Sequence, residues 1–396
     1  MSHSVYMFNP DHDMALAVFS PYYKPPADIV GMASDLAALP AWVASPGDVI
    51  HVPDSGSCSD WARRGYDDGL LPDVRWTDAF PDMPWRPWGW NPVLCALLKS
   101  NGVGDAFVPS SGRLEKIRHF SGRNQYVQLL SDLRQLPQTC GRAVMCASFD
   151  QVSAFLDAEP QAVLKAPWSG SGRGVMRVSA ASLTLSVEGW IRRIIRTQGC
   201  VMAEPLYSKL VDFAMEFHVN AMGKVTFVGY SLFETDAHGN YKSNVLCSDA
   251  HIESVLSSYV PIGLLHEVRD HLLAYFGEVL PGVHEGFFGV DMMICHGNCS
   301  GEHLLHPLVE VNLRMNMGVF SRLFFNRYCL PSCLGRYAVE FFRQEGDAVL
   351  FHERMRTSYP LKISERKIVS GYLPLVPIAT HTHYVAYVEM AQSLPR

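Results

Sequence analysis

The chain has 396 residues, 48% of them hydrophobic and only 18% charged, with a formal net charge of −6. Such a length supplies a core for two or three lobes. The mild acidity excludes the basic footprint of a nucleic-acid or anionic-membrane binder, and no apolar run is long enough to span a bilayer.

In chain order, "SVYMF" (4–8) reads as a first strand. "NPDHDMALAVF" then reads as a helix start, with Asn9 as N-cap, Pro10 in the first turn and Asp11 and Asp13 favouring the helix N-terminus. The prolines of residues 20–90 argue against long regular elements. "NPVLCALLKSNGV" repeats the Asn-Pro start and stops at glycine. A helical stretch from Gly112 to Pro137 bends near Ser121–Gly122, and "AVMCAS" alternates as a strand. "SFDQVSAFL" opens with the capping box of Ser148 and Gln151.

"VLKAPWSGSGRGVMRV" (163–178) then places Gly170, Gly172 and Gly174 between two apolar runs. The spacing fails as a Walker loop, because Val175 follows the last glycine, and fails as a dinucleotide fingerprint, because a strand follows. What remains is a strand–turn–strand hairpin. Either it is an ordinary Gly/Ser turn, or it is a flap whose backbone amides close over phosphates, with Lys165 beside it as a point charge.

Beyond the hairpin, "VEGWIRRIIRTQG" is an amphipathic helix ended by Gly199, and "CVMAEPLYS" is a strand. "VDFAMEFHVNAMGKVTFVGYSLFET" is a hairpin around a Met-Gly-Lys turn. A helix over 262–280 precedes the strands "GFFGVDMMIC" and "HPLVEVNLRM". Two short helices are expected near 319–329 and 334–344, and the last fifty residues read as mostly extended. Cys295, His296, Cys299, His303 and His306 are zinc-ligand types. Their spacing matches no standard ligand pattern, and "HGN" supplies a hairpin turn between the two strands. The ten cysteines lack any C-x-x-C pair and fit reduced thiols, and the N-terminus lacks a basic region followed by an apolar one. The expectation is a cytoplasmic protein.

Glu310, Asn312 and Arg314 alternate along "VEVNLR" and so project from one strand face, with Asp291 one hairpin away. Hard oxygen donors with an arginine beside them suit Mg²⁺ shared with phosphates. The competing reading is a strand face carrying an ion pair.

Taken in order, the lysine strand, glycine hairpin, "AEP" strand, "VDFAMEF" and "VDMMI…LVEVNLR" resemble the ATP-grasp superfamily of carboxylate–amine and carboxylate–thiol ligases, over residues 113–320. The resemblance implies an α/β (α+β) architecture, with two α+β subdomains (113–205 and 206–345) clamping ATP. An α/β N-terminal domain (1–112) would precede them and a C-terminal extension (346–396) would follow. It implies phosphate contacts from Lys165 and from the flap, Trp168 with Ser169, Gly170, Ser171, Gly172, Arg173 and Gly174. Glu204 and Tyr207 would meet adenine, and Asp212, or Glu216 in its place, the ribose. Asp291, Glu310 and Asn312 would hold Mg²⁺, and Arg314 would stabilise developing charge. The family's earlier lysine is missing, and Arg123 takes its place. Lys242 would be a further phosphate or acceptor contact. The implied activity joins a small-molecule or peptide carboxylate to an amine through an acylphosphate. A kinase acting on a hydroxyl and a nucleotide-binding module without turnover are the alternatives, and a homodimer is left open.

Overall fold

The structure, a computed structural model, describes residues 3–65, 69–170, 174–179, 181, 183–235, 241–297 and 299–391. Among these, the strands form three sheets. The first is parallel, with β1 (Val5–Met7), β2 (Val49–His51), β3 (Arg75–Thr77) and β4 (Trp85–Pro87) in the order β3-β2-β1-β4. The second is antiparallel, with β5 (Val144–Cys146), β6 (Gln161–Lys165), β7 (Val175–Ser179) and β8 (Val201–Pro205) in the order β5-β8-β6-β7.

The third sheet contains β9 (Lys209–Val219), β10 (Val225–Thr235), β11 (Tyr241–Leu246), β12 (Gly286–His296) and β13 (His303–Asn312). It continues with β14 (Leu334–Phe341), β15 (Lys362–Ser364), β16 (Lys367–Pro374) and β17 (Tyr384–Ala391). The order is β13-β12-β9-β10-β11-β14-β17-β16-β15.

The alternation of β9 and β12 divides the large sheet into two unlike faces. Phe213, Met215, Phe217, Phe288, Val290 and Met292 are buried in one cluster with Leu265, Val268, Leu272 and Phe276 of the helix Ile262–Val279. The opposite face receives Asp212, Glu216, His218, Phe287, Gly289 and Asp291. Close apolar packing on the first face therefore fixes the position of the polar side chains on the second.

Several local signals act as expected. Asn91 and Ser148 cap their helices through Leu94 N and Gln151 N, and Gly199 ends its helix at φ 89°. The helical stretch breaks at Ser121 and resumes at Val127. Other readings are corrected. Asn9 does not cap the first helix, His12–Val18, whose N-cap is Asp11. Its amide instead exchanges hydrogen bonds with the backbone of Gly89, 80 residues away (2.8 and 3.2 Å). Residues 334–341 are not a helix but β14, paired along its length with β17 and with β11. The last fifty residues are not mostly extended at their start, where the helix Asp347–Ser358 lies. No helix of the described residues is long and apolar enough to cross a membrane.

Candidate active site

Three structural units bring polar side chains together over one face of β12 and the edge strand β13. On the large sheet, Asp291 stands directly across from Glu310 in register, and the Asn312 amide donates to Asp291 Oδ2 at 3.0 Å. Arg314 donates to Asn312 Oδ1 (3.0 Å) and forms a bidentate pair with Asp13 of the N-terminal helix, Nε to Oδ1 at 3.2 Å and Nη2 to Oδ2 at 2.7 Å. From the segment before the second sheet, Arg123 donates to Glu310 Oε1 at 2.6 Å. It also donates to Ala166 O and Ser169 Oγ at the root of the glycine hairpin. Asp13 is close on the other side, for a Cβ placed on Gly170 would come within 2.9 Å of its carboxylate. Asp291, Glu310, Asn312, Arg314, Arg123, Ser169 and Gly170 thus form one constellation.

The hairpin stem is the antiparallel pair β6–β7, from Gln161↔Ser179 to Lys165↔Val175. Gly174 has no room for a side chain, since an added Cβ would overlap Ser169 and press on Ala166. Trp168 is anchored by its indole N–H to Arg118 O (2.8 Å), with the Arg118 guanidinium over its ring. Ser171, Gly172 and Arg173 lie outside the described residues.

Lys165 and Glu204 do not stand free. The ammonium donates to Glu204 Oε2 at 2.7 Å, and both side chains are buried. Glu204 sits on β8, the last strand of the second sheet before β9 opens the third, and so occupies the junction between them. Tyr207, two residues into the connection, packs edge-on to His306 at 5.4 Å. Burial lifts the Tyr207 hydroxyl to about 12, and burial followed by the Lys165 charge lowers His306 to about 3, leaving a neutral imidazole beneath the junction.

Asp212 accepts from Thr235 Oγ1 (3.0 Å) and from Lys209. Lys242 stands apart. It lies on β11, three strands from β12, or about 14 Å across the sheet, and pairs with the exposed Glu234 of β10 at 3.6 Å. The zinc-type residues diverge, with Cys295 buried and Cys299 exposed.

Glu216 is more central than the sequence reading made it. It is fully buried, accepts from Ser231 Oγ (2.7 Å) and Asn316 Nδ2 (3.3 Å), and lies in a socket of glycines. A Cβ on Gly289 or Gly318 would overlap its carboxylate. Burial raises Glu216 to about 7, against the two hydrogen bonds. Asp291 is pushed well above the usual carboxylate range by burial and then by Glu310 and Glu216. At Asp13 burial acts upward, but Arg314 and His12 outweigh it, and its carboxyl lies below the usual range.

Burial and mutual repulsion disfavour the ionised forms of these clustered carboxyl groups, and a divalent cation would relieve both. No three His, Cys, Asp or Glu side chains among the described residues converge tightly enough to hold a metal alone. Magnesium does not require that, since it takes one or two carboxylates and completes its shell with water and substrate phosphates. Asp291, Glu310 and Asn312 are the residues that could supply such a partial shell.

The state of Glu216 has a measurable consequence. Its carboxyl titrates near 4.5 in the unfolded chain and near 7 in the folded one. Between those values the folded state binds more protons, so stability falls as pH rises, by roughly 3 kcal/mol in total. The Glu216→Gln variant escapes that fall. Its melting temperature relative to the parent, in EDTA, is expected to climb from pH 4.5 to 7 and then level off. A difference that stays constant across that window would refute the protonated state.

No protein-family model matches the chain, and no curated protein sequence matches it. Solved structures match over its full length. N5-carboxyaminoimidazole synthetase from Staphylococcus aureus, complexed with ADP, aligns with 100% of this chain and 94% of its own, at TM-score 0.51 and 12% identity. The chain has the ATP-grasp fold. Campylobacter jejuni biotin carboxylase covers 99% of this chain and 88% of its own, at TM-score 0.51 and 11% identity. The biotin carboxylase domain of Hydrogenobacter thermophilus 2-oxoglutarate carboxylase, in complex with MgADP, ADP and bicarbonate, covers 99% and 87%, at TM-score 0.51 and 8% identity.

Proposed function

We propose that the chain is an ATP-dependent carboxylate–amine ligase. The observation that carries this reading is the single polar face on which Asp291, Glu310 and Asn312 meet Arg314 and, through Arg123, the root of the glycine hairpin. That is an arrangement for positioning a phosphoryl group and neutralising its charge, and phosphoryl transfer asks little else of a protein. The ADP-bound ligases of the same fold support it.

In this reading ATP lies between residues 113–205 and 206–345. Lys165 turns from Glu204 toward the phosphates, while Glu204 and the backbone near Tyr207 meet the adenine edge and Asp212 the ribose. Asp291, Glu310 and Asn312 would hold Mg²⁺, which supplies charge neutralisation when bound. The γ-phosphoryl group is transferred to a substrate carboxylate, and an amine then displaces phosphate from the acylphosphate. Arg314, oriented by Asp13, faces the negative charge that develops on the acyl oxygen. The nucleophile belongs to a substrate, so no nucleophilic side chain is required.

The test is product analysis of [γ-³²P]ATP turnover with a panel of carboxylic acids, with and without amines. Free phosphate that depends on both a carboxylate and an amine is the expected result. Label that stays on a hydroxyl substrate would replace the ligase reading with a kinase, and binding of MgATP without any turnover would replace it with a binding module.

A further inference from the structure

A cavity of about 820 Å³ lies outside the constellation described above, between the first sheet, the start of β12 and the helix Met317–Tyr328. Its size suits a small-molecule ligand. One part of its wall is aromatic, with Trp85, Trp88, Trp90 and Phe287, and another is cationic, with Arg86, Arg113 and Arg327. Glu285 is the one carboxylate among the described residues that line it.

The three arginines are held but not neutralised. Arg86 donates to Ser4 Oγ (3.2 Å), Arg113 to Val283 O (2.9 Å) and Arg327 to Ala44 O (2.5 Å). Each anchor is a neutral oxygen, and none of the three forms an ion pair with a carboxylate among the described residues. This contrasts with Arg123, Arg314 and Arg322, each of which has its acid. Arg86 and Arg327 both act electrostatically on the Tyr6 hydroxyl, with Asp48 opposing them, and Arg86 also acts on His218, with Glu285 opposing it. Fixed guanidinium groups without acids, beside indole faces, form a receptor for an anion attached to a flat apolar body.

The cavity also leads toward the constellation. Phe287, at its edge, lies on the same face of β12 as Gly289 and Asp291, four residues and about 13 Å from the latter. Leu313 and Met315, the neighbours of Arg314, form part of the wall.

We propose that this cavity receives the non-nucleotide substrate, an elongated molecule with a flat apolar body and an anionic end group. Arg86 and Arg327 hold the anion, the tryptophans cover the body, and the reacting end extends to Asp291 and Arg314. The role as substrate rests on the ligase reading, whereas anion binding in the cavity does not.

The test uses the full chain in saturating MgADP, so that anions are kept out of the nucleotide site. Phenyl phosphate, phenylsuccinate and neutral benzamide are titrated by calorimetry and by tryptophan fluorescence. At least one of the two anions is expected to bind about tenfold tighter than benzamide and to quench the indoles, and which one does distinguishes a phosphate from a carboxylate end group. In the Arg86→Gln, Arg327→Gln double variant that affinity falls at least about tenfold, while MgADP affinity is unchanged. If the double variant melts below assay temperature, Arg86→Gln alone, an exposed side chain, is judged by the same criteria. Anions that bind no tighter than benzamide, or that bind the arginine variants as they bind the parent, overturn the proposal. A chain that binds the anions in this way but not MgADP keeps the anion site and loses the ligase reading.

Discussion

Glu310→Gln is expected to lower the rate of a single turnover by roughly 10²-fold or more, the scale on which removal of one charge-stabilising group acts in other active sites. Asn312→Ala is expected to do the same. Both side chains project from one face of β13, Glu310 directly opposite Asp291 and Asn312 bonded to it. In the proposed site, loss of one donor would misplace the cation and the γ-phosphate with it, and this would matter most where charge moves. Nucleotide affinity should therefore fall by less than about tenfold, the pattern of an interaction made mainly in the transition state. Stability should change little in Glu310→Gln, because the amide oxygen still accepts from Arg123, and a cost of at most about 2 kcal/mol covers the lost charge. If Glu310 only closes an ion pair with Arg123, the opposite holds, and rate falls only in proportion to folded protein. Melting curves beside single-turnover rates separate the two. A variant that melts like the parent and turns over normally removes the residue from the site.

Lys165→Ala should be the most damaging single change to the fold near the site. The ammonium and Glu204 are buried together at 2.7 Å, and removal of one partner leaves a charge without compensation, at a cost of about 3–5 kcal/mol. The paired change Lys165→Met with Glu204→Leu replaces both charges with apolar groups of similar volume, and should recover most of that stability. ATP affinity distinguishes structure from function. If the lysine swings to the phosphates and Glu204 meets adenine, affinity falls by at least about 1.5 kcal/mol in Lys165→Ala and stays low in the stabilised double variant, which lacks both contacts. Calorimetry showing parental ATP affinity in the double variant would reduce the pair to a structural one.

The local half of this site was legible in the sequence. The hairpin stem, the shared face of Glu310, Asn312 and Arg314, and the Asp291 strand follow from alternation and turn chemistry, which act within a few residues. What was missed depends on long-range pairing. Asp13 reads as a helix-start acid because its partner, Arg314, lies 301 residues away. Glu216 reads only as an alternative to Asp212 for the ribose, one polar position in an alternating strand. Its importance comes from Gly289 and Gly318, which make room for it, and from Ser231 and Asn316, which bond it. Arg123 was placed by resemblance as the substitute for the family's earlier lysine, and its link to Glu310 spans 187 residues. Residues 334–341 were misread because the strands that convert them to sheet, β11 and β17, are distant in sequence, and tertiary pairing overrides local preference.

Trp42 shows what such distances mean during synthesis. Its indole N–H donates to Leu375 O at 2.7 Å, and its ring shares one buried cluster with Phe324, Tyr328, Leu373 and Val388. Residues 36–88 therefore cannot complete their core until a segment roughly 300 residues later has been made, an interval of about 15–60 s at ordinary translation rates. Through that interval an apolar surface containing Trp42, Trp88 and Ile50 is exposed to solvent on the nascent chain. The cell must shield it, which makes yield in a fast expression host sensitive to chaperone supply and to a lower growth temperature.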